Sequence, residues 1–258
     1  MIFNLRATPK KLTDCWIAIT RPAHQAGSLT QTLQAEGANI IPFPLLEIIP
    51  PTAVSLLQAQ TSNLASYDLA IFISPNAVEK ALQFVDKESL SHLKIAAVGK
   101  KTALCLANQG LSVDYFPDDI FNSEALLSLD EMQQVKGQNI AIFRGEGGRD
   151  LLRDTLQQRG ARVDYLNVYA RRCPMSDIEV LKQHYQQGKL DIIILTSGES
   201  FAHLLRLAKD EQWLSQVILL LGSERIKQKF KDKFSGEIWV APDPSDETIY
   251  KILRARCV

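Results

Sequence analysis

The chain repeats itself once: residues 16–21 recur at 139–144, the Gly37-Ala38 turn recurs as Gly160-Ala161, and residues 68–74 recur at 191–197, all at one shift of 123 residues. The same shift carries Gly99 onto Gly222, Pro51 onto Pro174 and Glu124 onto Glu247, so no gap is needed. A repeat this long is one domain-sized unit present twice, not the turn of a solenoid. Within each copy, short apolar runs rich in β-branched residues alternate with helical patterns, which predicts parallel sheets with crossover helices. The strands expected in the first copy are 16–20, 39–43, 68–73, 94–98 and 113–116, with counterparts 123 residues on. A helix is expected at 25–36, where Leu29 and Leu33 stand at i and i+4 and Gly37 supplies the C-cap. Pro75 opens another, in a first turn where a missing N–H costs nothing.

Segments 42–51 and 165–174 are equivalent, contain prolines and lack a helical period, so they read as paired connectors between two domains. Periodicity leaves two organisations open. Either each half folds alone, or the first β-α-β unit joins the last part of the chain and the middle forms the second domain.

Composition narrows the possible partners. The 258 residues are 46% hydrophobic, enough for a sizeable core. Lys plus Arg and Asp plus Glu both number 29, so no global field draws the chain to nucleic acid or a membrane surface. An anionic partner must therefore be held by local donors. Cys15, Cys105, Cys173 and Cys257 are far apart with no C-x-x-C pair, which suggests neither a disulfide framework nor a zinc site and fits a reducing compartment. Residues 1–14 carry Arg6, Lys10 and Lys11 but no apolar stretch, and read as a frayed tail and not as a secretory signal. Apolar runs such as 217–221 fall far short of the roughly 20 residues of a bilayer span. A soluble, cytoplasmic protein without metal is the expectation.

In an open parallel sheet, ligands bind beyond the carboxyl ends of the strands, where helix N-termini offer free N–H groups. The candidates at those positions are Thr20 and Arg21; Ser74, Pro75 and Asn76; Gly99, Lys100 and Lys101; Arg144, Gly145 and Gly147; Thr196, Ser197 and Gly198; and Ser223 with Glu224. Glycine lets backbone approach an anion, hydroxyls add donors, and the basic residues add local charge. A plain N-cap explains each Ser or Thr equally well. Facing sets from two domains would make an anion-binding cleft.

No other chemistry is signalled. In 145–150 the third glycine of a dinucleotide fingerprint would fall at Asp150, and neither a P-loop nor a nucleophile elbow occurs. His92 and His184 sit in polar helix or loop surroundings, His24 and His203 begin or line helices, and all four read as solvated surface. Tyr169 stands apart, because it lies in the second connector, where its side chain can reach into a cleft or pack its ring at the hinge with the hydroxyl wet.

The order and spacing of residues 19–22, 72–78, 97–99, 143–149, 168–169 and 242–247 resemble the uroporphyrinogen-III synthase family over nearly the whole chain. The resemblance implies two similar α/β domains of HemD type, flavodoxin- or Rossmann-like, each with a parallel sheet flanked by helices. They would be joined by a two-stranded connector, with the active-site cleft between them. Residues 1–44 plus 173–258 would form one domain and 45–172 the other. It also implies hydroxymethylbilane as substrate, uroporphyrinogen III as product, no cofactor, transient contact with hydroxymethylbilane synthase and a monomeric state. Ring closure would pass through a spiro intermediate that inverts ring D, with Tyr169 matching the tyrosine thought to assist departure of the substrate hydroxyl. Where many relatives carry Thr before the Ser of the first strand end, this chain has Ile73, which puts a donor there in doubt, although Thr196 keeps the hydroxyl in the second copy. The competing class is a two-domain binding or sensor protein of synthase-like outline without catalysis.

Overall fold

The computed structural model describes residues 12–118, 121–209 and 212–257. Its strands are β1 (Trp16–Ile19), β2 (Asn39–Pro42), β3 (Glu47–Ile49), β4 (Leu69–Phe72), β5 (Lys94–Ala97), β6 (Asn139–Gly145), β7 (Arg162–Arg172), β8 (Ile192–Leu195), β9 (Ile218–Leu221) and β10 (Ile238–Val240). They form two five-stranded sheets, in the orders β10-β9-β8-β1-β2 and β3-β7-β6-β4-β5. Each sheet thus draws strands from both copies of the repeat. Strand β1 pairs in parallel with β8 of the second copy, and β4 pairs in parallel with β6. The chain divides into two compact units: the described residues of Met1–Glu47 and Arg172–Val258 make one, and Ile48–Arg171 the other.

Both sheets are covered on both faces, which is why their strands are nearly continuous apolar runs. In the first unit, Ala18, Ile193, Leu195 and Leu219 face one core while Ile17, Ile19, Ile192 and Ile194 face another. In the second unit, Ala70, Phe72, Ala141 and Phe143 face one side, and Leu69, Ile71, Ile140 and Ile142 the other. The period of two in side-chain direction makes this division automatic. Phe72 and Phe143 are partners in the β4–β6 register, and their rings stack at 4.6 Å between centroids.

The expected helix at 25–36 is Ala23–Ala35, which buries Leu29 and Leu33, and Gly37 takes the left-handed φ of +87° that ends it. Ser74 caps Pro75–Ala81 by accepting the Ala77 N–H at 3.2 Å. The expected strand 113–116 is reduced to a single parallel bridge between Tyr115 and Ala96, whereas its counterpart is the full strand β10. Asp114 accounts for the difference, because its carboxylate takes the Ile95 N–H at 2.8 Å that a neighbouring strand carbonyl would otherwise receive. Of the expected tail, residues 1–11 lie outside the described residues, and Leu12–Asp14 is a 3₁₀ turn with Leu12 buried. Among the described residues no helix is long and apolar enough to cross a membrane.

Phe143 is fully buried and half of the ring stack that ties β4 to β6. Phe143→Ala is expected to lower the unfolding free energy by about 3–5 kcal/mol in a urea titration, the usual cost of a buried aromatic; a loss below about 1 kcal/mol would mean that this core collapses around the vacancy.

Candidate functional site

Because β5 pairs with β4, β4 with β6 and β6 with β7, all in parallel, the carboxyl ends of these strands gather Ser74, Gly99, Arg144, Gly145 and Tyr169 along one edge of the second unit. The corresponding edge of the first unit carries Thr20, Arg21, Thr196, Ser197 and Ser223.

In the first unit, several expected donors are already engaged. Thr20 is buried, and its hydroxyl donates to the Ile194 carbonyl at 2.7 Å, locking the end of β1 to β8. Arg21 is ion-paired with Asp246 and donates to the Pro244 carbonyl at 2.7 Å. Ser197 accepts the Ser200 N–H at 3.0 Å as the cap of Gly198–Ala208. Gly222 packs against Thr196 so closely that an added Cβ would lie 3.0 Å from its Cα. Ser223 leads into Glu224–Phe230, and the Glu224 carboxylate, an acceptor only, takes the Gln228 side-chain N–H at 2.8 Å. His203, expected on a solvated surface, is half-buried with Nδ1 2.7 Å from the Leu45 carbonyl oxygen.

In the second unit, Arg144 is buried and holds the loop that follows β6. Its guanidinium donates to the carbonyls of Gly145, Gly147 and Arg149, faces Asp150 at 3.6 Å and lies 4.1 Å above the Tyr165 ring. Gly147 and Gly148, at φ +72° and +93°, supply the left-handed turn that wraps the loop round this charge. Arg144 is the counterpart of Arg21, but position 123, which matches Asp246, is a serine, and loop carbonyls together with the Asp150 carboxylate take its place. A pocket of about 200 Å³ opens beside this loop, lined by Ile73, Val98, Ser123, Gly147, Arg149 and Arg171 among others. Burial raises the pKa of the Tyr165 hydroxyl on its wall, a rise that Arg144 opposes and Asp150 supports. Ile73 places a methyl-rich wall there. Gly99 caps Lys100–Asn108, with Lys100 and Lys101 exposed at its start, and Asn76 is half-buried in the first turn after Ser74.

Tyr169 differs from the expectation of a wet side chain: it is 3% exposed. The reason lies in the register of β6 and β7. Arg144 faces Asn167 and Gly145 faces Tyr169, so Val168 is an extra residue, a bulge in a parallel pair. Leu166 and Val168 already face the core under helix Pro75–Ala81, and the bulge turns Tyr169 to that same core instead of the opposite face. The ring packs against Gly145, where an added Cβ would come within 2.4 Å of it. Its hydroxyl thereby reaches the strand-end edge, 3.4 Å from Ser74 Oγ. Arg171 was not among the expected site residues, yet it lies 3.5 Å from the same hydroxyl. Its position two residues beyond Tyr169 on one strand was the available signal.

Residues 27–251 match the family model described as uroporphyrinogen-III synthase HemD. The chain is 30% identical over 244 residues to the uroporphyrinogen-III synthase of Escherichia coli K12, covering 92% of this chain and 99% of that one. It is 35% identical over 196 residues to the Synechococcus elongatus enzyme of the same name, 74% of each chain. Among solved structures, the Helicobacter pylori uroporphyrinogen-III synthetase superposes with a TM-score of 0.63 at 14% identity, covering 93% of this chain and 99% of that one. A mutant uroporphyrinogen III synthase of Thermus thermophilus gives 0.62 at 19% identity, with 93% and 98% covered. These two likenesses establish the two-domain α/β fold.

The engaged guanidinium of Arg144 makes a distinct expectation from an exposed basic residue. Arg144→Ala is expected to lower the unfolding free energy by about 2–4 kcal/mol, since buried carbonyls lose a charged donor, while Lys100→Ala leaves the urea midpoint in place. Equal midpoints for the two variants would show that the 145–150 loop stands without its arginine.

Proposed function

The chain belongs to the uroporphyrinogen-III synthase family, and from that premise we propose how its strand-end residues serve the reaction. The enzyme is a cyclising lyase of porphyrin biosynthesis: it closes the linear tetrapyrrole hydroxymethylbilane to uroporphyrinogen III, with loss of water and inversion of ring D through a spiro intermediate. The observation that carries this reading is the match over residues 27–251, joined to 30% identity along nearly the full length of a named relative.

The substrate bears acetate and propionate carboxylates, and the chain is electrically balanced, so the grip must come from local donors. Backbone N–H groups at Gly99, Gly145, Gly147 and Gly198, hydroxyls at Ser74, Ser197, Thr196 and Ser223, and the exposed Lys100 and Lys101 are suited to that task. Thr20, Arg21 and Arg144 contribute by holding the loops that present those groups, since their own donors are spent on carbonyls and Asp246. Pro75 and Asn76 shape the turn after Ser74, and Glu224 sets the start of its helix. Because hydroxymethylbilane closes by itself to the uninverted isomer, catalysis here consists mainly in holding the spiro-competent pose. Tyr169 donates a hydrogen bond to the hydroxyl of ring A as it departs as water. Its placement beside Ser74 at the carboxyl edge of β4 supports the assignment. The enzyme works in the cytoplasm as a monomer and takes its short-lived substrate in transient contact with hydroxymethylbilane synthase.

Tyr169→Phe keeps the ring on Gly145 and removes the hydroxyl alone. Its kcat is expected to fall by about one to two powers of ten, at or below the lower end of a positioned proton donor's contribution, with the product still mainly isomer III. The thermal midpoint should drop slightly, because the contacts of the hydroxyl with Ser74 and Arg171 are lost. Single-turnover rates equal to the parent's would return Tyr169 to a packing role.

A further inference from the structure

Strand β7 carries Arg171 two residues beyond Tyr169, so both side chains leave the same face of the strand. The guanidinium turns back towards the tyrosine, with Nη1 3.5 Å from the phenol oxygen and Cζ 5.8 Å from the ring centroid. Its other terminal nitrogen donates to the Glu146 carbonyl at 3.1 Å. Glu146 is in turn held from two sides: its N–H donates to the Tyr169 carbonyl at 2.8 Å, and its carboxylate accepts from both the hydroxyl and the backbone N–H of Thr52, at 2.8 and 2.5 Å. Gly145 makes room for the pair, since a Cβ there would stand 2.4 Å from the ring and 3.0 Å from Arg171 Nη1. Phenol and guanidinium therefore share one slot that only glycine leaves open.

A guanidinium has donors and no acceptor, so its contact with the phenol runs from N–H to oxygen. Ser74 Oγ accepts the Ala77 N–H and lies 3.4 Å from the same phenol oxygen, towards which its own hydrogen can be directed. In the arrangement where Arg171 and Ser74 both donate to the phenol oxygen, the phenol's own hydrogen points away from both neighbours. We propose that Arg171 is a positioning residue of the cyclisation, which fixes the hydroxyl of Tyr169 as a donor aimed at the departing group of the substrate. This rests on the reading of Tyr169 as that donor. The contacts are long, as catalytic hydrogen bonds often are before substrate tightens them. A guanidinium that instead gripped a substrate carboxylate would act on ground-state binding, and the two roles separate in kcat and KM.

The test is a double-mutant cycle on the full chain with hydroxymethylbilane. Arg171→Met is expected to lower kcat about tenfold while KM stays within about twofold. In the Tyr169→Phe background the same change should cost less than about twofold, because the oxygen it acts on is gone. Arg171→Lys, which keeps one charged donor, should recover part of the rate, and it carries the comparison if the Met variant does not fold. An equal loss in both backgrounds, or a raised KM at unchanged kcat, overturns the assignment to Arg171 and leaves Tyr169 standing. Parent-like rates for Tyr169→Phe alone overturn both.

Discussion

A parallel sheet puts the carboxyl ends of its strands on one edge, and the placement of every polar candidate in this chain depends on that constraint. The apolar runs of β1, β4, β6 and β8 spend both faces on core packing, so little polar chemistry can sit along the strands themselves. It is displaced to the strand ends, where the chain turns into helices and backbone N–H groups are free. Ser74, Gly99 and Ser197 occupy such turns, and the same residues that begin helices are those on offer to a ligand.

Within the second unit, one departure from regularity sets the rest. The bulge at Val168 turns Tyr169 into the core beneath Pro75–Ala81, and Gly145 on the neighbouring strand gives the ring its bed. Without the extra residue, the period of two would send Tyr169 to the opposite face, away from Ser74. The cost is an interrupted ladder at the end of β6. Arg144 offsets it by gathering the loop carbonyls, while Glu146 links β6 to β7 through its own N–H.

The sheets were legible in the sequence because their strands are buried on both faces: β1, β4, β6 and β8 stand within a residue or two of the apolar runs that predict them. The exchange of β-α-β units between the repeats was not legible from the periodicity, only implied by the family resemblance, since β1 and β6 carry almost the same residues and either could lie beside β8. Pairing choice of that kind is decided by the whole packed unit. The strand at 113–116 failed because a single side chain, Asp114, competes for a backbone N–H. Tyr169 was recognisable as a candidate from its place in the connector, but its burial depended on a glycine 24 residues earlier and a one-residue slip in register, neither of which has a local pattern. Arg21 and Arg144 looked like free charges for the same reason: Asp246, Pro244 and the loop carbonyls meet them only after folding.

The account holds that this chain governs which isomer forms, by posing a substrate that would otherwise close on its own. The most direct measurement is the isomer composition of the product when the purified protein receives enzymatically made hydroxymethylbilane, resolved by chromatography after oxidation to the porphyrins. Predominantly type III product, formed faster than the spontaneous reaction, is the predicted result; type I product at the spontaneous rate would contradict it.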